Sequence, residues 1–78
     1  MTAEEAIAVV RKRWKRLKID SAYEIFECEQ RIVEFKRKRN TPGPAENRLA
    51  WVVTTVGDTG TVVVHIDDHS AKTLSVIR

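Results

Sequence analysis

LAWVVTTVGDTGTVVVHI, residues 49–66, constrains this chain more than any other stretch. Most of its side chains branch at Cβ or carry a bulky ring, and a pleated strand accommodates such groups better than a helix does. Between the two runs stands Gly57-Asp58-Thr59-Gly60, the chemistry of a tight reversal. The stretch therefore reads as a hairpin of Leu49 to Val56 and Thr61 to Ile66. In the second strand Val62, Val64 and Ile66 share one face, and Thr61, Val63 and His65 share the other. A lone hairpin is marginal in water, so the rest of the 78 residues must supply more strands and a cover for the apolar face. A chain this short hides only about 60 to 65% of its unfolded surface, which allows one domain, residues 1–78, with a thin core and no deep cavity.

The cover is legible at the start. Thr2 followed by Glu5 fits a capping box. At 100° per residue Ala3, Ala6, Ile7, Val10, Trp14 and Leu17 form one apolar stripe, predicting an amphipathic helix over 3–18. Asn40 to Asn47, with two prolines and a glycine, reads as a surface loop. Asp67 to Lys72 is polar and turn-like, and Thr73 to Ile77 forms a last strand.

Residues 22–39 admit two readings. As strands, Tyr23 to Cys28 and Ile32 to Lys36 are aromatic and β-branched runs, with Val33 and Phe35 on one face and Ile32, Glu34 and Lys36 on the other. The turn this needs, Glu29-Gln30-Arg31, lacks glycine or asparagine. As a helix, Ser21 and Glu24 form a second capping box and the basic end lies at the negative pole. The first reading gives an α+β fold, an N-terminal amphipathic helix packed on an antiparallel sheet. The second gives two helices followed by a β-hairpin.

Thr2-Ala3-Glu4-Glu5-Ala6-Ile7-Ala8 resembles the opening of PepSY domains. Ala50, Trp51, Val53, Val64, Ile66, Asp67, His69, Ser70 and Leu74 resemble the closing hairpin of PepSY and of fungalysin and thermolysin propeptide domains. The resemblance implies a cystatin-like form of the α+β alternative, one N-terminal amphipathic helix packed on a four-stranded antiparallel sheet in the order α-β-β-β-β, and a non-catalytic role, restraining proteases or contacting other proteins. It covers the two ends and hardly touches the middle. One departure is physical: Ala71 stands where that family usually has glycine, so the turn after Asp67 must avoid a left-handed backbone there or bear strain.

Arg11 to Lys18 places six bases in eight positions, and Lys36, Arg37, Lys38 and Arg39 form a second cluster, although net charge is only +3. On the helical wheel Arg11, Lys12, Arg13, Lys15, Arg16 and Lys18 spread over about 220°, the whole arc outside the apolar stripe, which is the pattern of a solvated back rather than a DNA-reading strip. Arg11 with Lys15 and Lys12 with Arg16 are like-charge pairs at spacing four, and Glu24, Glu27, Glu29 and Glu34 downstream are the expected counter-charges, within one chain or across a dimer. The candidate interaction surface is Arg11, Lys12, Lys15, Arg16, Lys18 and Lys36 to Arg39. Trp14 and Trp51 fall on the apolar faces and read as core.

No catalytic signature emerges, and the chain reads as a non-enzyme with no cofactor. His65, Asp67, Asp68 and His69 are ligand types, but no second cluster completes a metal shell. Cys28, the only cysteine, would need His65 or His69 in contact to act as a nucleophile, and neighbouring glutamates would raise its pKa. Gly57 to Gly60 lacks the lysine of a phosphate loop. Thr2 to Glu5 is acidic and Ile7 to Val10 short, unlike a secretory signal, and no run approaches the roughly twenty apolar residues that span a bilayer. The expectation is a soluble, cytoplasmic interaction module, a homodimer or the partner of another protein, acting through an edge strand or sheet face. The alternative is a small nucleic-acid-binding protein using the basic helix face.

Overall fold

A computed structural model of the chain describes residues 1–35 and 46–78. It comprises helix α1 (Ala3–Lys12) and strands β1 (Glu24–Phe35), β2 (Glu46–Gly57), β3 (Gly60–Asp67) and β4 (Thr73–Ile77). The strands form one four-stranded sheet in the order β1-β2-β3-β4, every pair antiparallel. This is the α+β architecture expected from the strand reading of the middle segment.

The middle segment departs from that reading in one respect. Glu29-Gln30-Arg31 makes no turn; it lies inside a continuous strand and pairs with Val52-Trp51-Ala50. An exposed edge strand tolerates polar residues on both faces, so a charged centre need not break it. Irregularity falls instead between Ile25 and Glu27, where the register shifts and leaves Phe26 as the extra residue of a β-bulge. Val33 and Phe35 share a face as expected, while Lys36 lies outside the described residues.

The core lies between α1 and one sheet face. Ala6 and Val10 of the helix and Val53, Val62, Val64 and Ile66 of the central strands are buried together, with Leu17 and Ile19 closing one end. The cross-sheet row Cys28, Val53, Val64, Val76 shows the pleat at work, because directly paired residues point to the same side. Val62, Val64 and Ile66 face inward as the alternation required. Thr2 and Glu5 form both halves of the capping box, at 3.2 and 3.0 Å.

The α-helix is shorter than its hydrophobic period suggests. Regular α-helix ends at Lys12, and residues 13–18 continue as turns. Arg13 N–H is shared between Val9 and Val10 carbonyls, and Trp14 N–H bonds Arg11. The path ends where Ile19 N–H donates to Trp14 O and Lys18 N–H to Lys15 O, with Lys18 at φ 57°. That is a Schellman closure in which lysine occupies the position glycine favours. Leu17 and Ile19 are thus buried by a capped turn rather than by a longer helix. Like-charge repulsion at spacing four weakens these turns, while Arg13 and Trp14 find partners outside the helix.

Candidate functional site

The sheet has a covered face and an uncovered one. On the uncovered face three rows run across the strands: Glu27, Thr54, Val63 and Ile77; Glu29, Val52, His65 and Ser75; and Arg31, Ala50 and Asp67. Val33 and Phe35 extend it along β1, opposite Arg48 and Glu46. Ala50 and Val52 are buried although no described element packs on this face. His65 sits within this mixed surface. Burial, and then the positive charge of Arg31, lower its pKa from 6.5.

The expected ion pairing between helix and β1 does not occur. Among the described residues the salt bridges are Met1 amino group to Asp68, Arg31 to Glu29, and Arg48 to Glu46 and Asp67. None uses a base from residues 11–18. Register supplies the reason for three of the four glutamates: Glu24, Glu27 and Glu29 lie on the uncovered face, with the sheet between them and α1, while Glu34 is on the helix side near the end of β1, opposite Asn47. Arg11, Lys12, Lys15, Arg16 and Lys18 are exposed. Arg13 is different, and its guanidinium donates to Ala71 O at 2.8 Å and Thr73 Oγ1 at 3.1 Å. It ties the helix end to the β3–β4 turn. Residues 36–39, the second basic cluster, lie outside the described residues.

The acidic pair at the end of β3 has structural partners. Asp67 is buried, and its Oδ2 accepts from Ser70 N–H and Ser70 Oγ, each at 2.8 Å. Those bonds, led by the backbone one and aided by Arg48, hold its carboxyl below 3.8 despite burial. Asp68 Oδ1 accepts from Trp51 Nε1 at 2.8 Å and Gln30 Nε2 at 3.2 Å, so one carboxylate staples β1 and β2. Among the described residues no group of three or more His, Cys, Asp or Glu could hold a metal ion. An open cleft of about 440 Å3 lies beside Phe35, Arg48, Asp67, His69, Lys72 and Leu74, but Arg48 and Asp67 are engaged with each other and their neighbours.

Cys28 faces the helix, its Sγ 3.8 Å from Ala3 O. His65 is on the opposite face, so the sheet separates the two groups a nucleophilic dyad would bring together. The thiol pKa is raised by burial, not by the glutamates beside it. Trp14 and Trp51 pack half-buried against the core as expected, and Trp14 Nε1 donates to Asp20 O at 3.0 Å. The β1 bulge and the engagement of Asp68 escaped sequence reasoning, since both depend on which residues the register brings side by side.

No family model, curated protein or solved structure matches this chain. No helix among the described residues is long and apolar enough to cross a membrane.

Proposed function

We propose that the domain is a non-catalytic protein-interaction module whose contact surface is the uncovered sheet face together with the free edge of β1. The observation that carries this reading is the one-sided packing of the sheet. Val33, Phe35, Val63 and Ile77 share a face that no described element covers. A polar-rimmed surface with apolar anchors of this kind suits a protein partner. The resemblance to PepSY domains, whose role is contact with other proteins, agrees with it.

The test is affinity capture from a lysate with the tagged domain as bait, set beside Val63→Glu and the charge reversal Lys12→Glu/Lys15→Glu. The face reading expects a discrete protein partner that Val63→Glu loses and the charge reversal keeps, with circular dichroism showing both variants folded. Capture unaffected by Val63→Glu overturns it.

A second reading has its own support. Five exposed bases, Arg11, Lys12, Lys15, Arg16 and Lys18, have no carboxylate partner among the described residues. Nucleic-acid binding through them predicts a duplex mobility shift whose log affinity falls linearly with log salt and weakens on charge reversal. No shift at low salt and no retention on heparin rule it out.

A further inference from the structure

We propose that the partner of the β1 edge is a second copy of this chain, joined by antiparallel β1–β1 pairing about a two-fold axis through Gln30. This rests on the interaction-module reading and specifies its occupant. β1 is an edge strand of twelve residues whose outer side is unpaired among the described residues. Such an edge is a template for strand addition, and proteins guard it with charge and bulges. Here the same devices select one pairing.

An antiparallel two-fold needs its axis normal to the sheet, so each residue meets a partner on the same face and the axis passes through a single residue. Centred on Gln30, Glu29 faces the second copy's Arg31, Glu27 faces Val33, and Cys28 faces Ile32. No like charges meet. Moving the axis to Glu29 or Arg31 sets that charge against itself, and moving it to Cys28 sets Glu27 against Glu29. Centring on Ile32 avoids repulsion but forms no ion pair. By symmetry the bulge at Phe26 of each copy bounds regular pairing at both ends, leaving residues 27–33 in register.

Two observations prepare this edge. Glu29 and Arg31 already pair within the strand, so the dimer holds four charges of alternating sign along the uncovered face. Gln30 is fixed by its bond to Asp68, which orients the residue on the axis. Ile32 is 72% exposed in the single chain, and pairing supplies it with the neighbouring Cys28 side chain. The product is an eight-stranded sheet with both helices on one side and the two uncovered faces continuous on the other.

Light scattering and sedimentation expect a concentration-dependent dimer. Arg31→Glu raises its dissociation constant roughly tenfold or more, and adding Glu29→Arg restores it, because the swap rebuilds the opposite-charge pairs. In a Cys28→Ser background, Gln30→Cys cross-links on mild oxidation, since direct partners lie within disulfide reach. Glu34→Cys does not, because two copies of that residue lie eight positions apart along the pair, roughly 27 Å. A chain that stays monomeric at millimolar concentration, an Arg31→Glu dimer of unchanged affinity, or cross-linking at position 34 but not at 30 overturns the proposal. Partner capture that is lost in Val63→Glu from a monomeric chain would refute this pairing while leaving the interaction-module reading intact.

Discussion

Replacing Ala71 with glycine stabilises the domain. Ala71 holds φ 60°, a left-handed conformation that Cβ disfavours. Three hydrogen bonds keep it there: Ala71 N–H donates to Asp67 O at 2.9 Å, Asp67 N–H to Lys72 O at 2.9 Å, and Arg13 to Ala71 O at 2.8 Å. None involves the Ala71 side chain, so glycine inherits the geometry. Relief of the left-handed strain is worth about 1.5 kcal/mol. Against it stand about 0.7 kcal/mol for glycine's greater freedom when unfolded and about 0.3 kcal/mol for the half-buried methyl. The net gain is about 0.5 kcal/mol, or about 2 to 4 °C in melting temperature for a domain of this size.

Thermal and urea unfolding measure it, with an unchanged m-value as the check that only stability has moved. Two companions calibrate the sign. Lys18→Gly, at φ 57° and exposed, gains somewhat more because no buried methyl is lost. Ala8→Gly, exposed within α1, loses about 1 kcal/mol by helix propensity. If Ala71→Gly melts at or below the parent while Ala8→Gly falls as expected, the strain argument is wrong.

Gly57→Ala acts in the opposite direction: an added Cβ would stand 2.3 Å from Tyr23 Cδ1, so the ring must leave its seat and strain its 2.7 Å hydrogen bond to Thr59, with an expected cost of about 1 to 3 kcal/mol in urea unfolding. Asp67 has a folded pKa below its ordinary 3.8, so the unfolded chain binds the proton more readily; this contribution is complete above that value and is lost as pH falls through the folded pKa. Ser70→Ala shrinks the acid-dependent loss, as unfolding free energy followed from pH 6 to pH 2 will show. His65 also has a depressed pKa, so its contribution is complete above 6.5 and is lost as pH falls from there through the folded value; His65→Gln flattens the stability profile in that window, measured by thermal melts in matched ionic strength.

Much of the sheet was legible because its signals are local. The Gly57 to Gly60 reversal, the alternation of Val62, Val64 and Ile66, and the bounds of Thr73–Ile77 each follow from a few neighbouring residues. The capping box fixed the helix start in the same way. Its end was not legible, since Trp14 and Leu17 satisfy the helical period whether a regular helix or a capped turn buries them. Whether the bases in 11–18 pair within the chain was not legible, for a tertiary reason. Composition places glutamates nearby, but only the register reveals that Glu24, Glu27 and Glu29 emerge on the far side of the sheet. Ala71 was legible through its departure from a glycine pattern, and its φ shows that the turn bears the strain rather than avoiding it.

The sheet's order has a kinetic meaning. Because each strand pairs only with its chain neighbours, no crossover must thread and pairing can spread outward from the β2–β3 hairpin, whose loop is just Asp58 and Thr59. Strand β4 lies a short turn away, whereas β1 must return across the whole stretch between Phe35 and Glu46 and bears a greater loop-closure penalty. In this scheme β1 is the last strand to be gathered, yet its eleven paired positions against the four of β4 make the β4 margin the one at which the native state breathes.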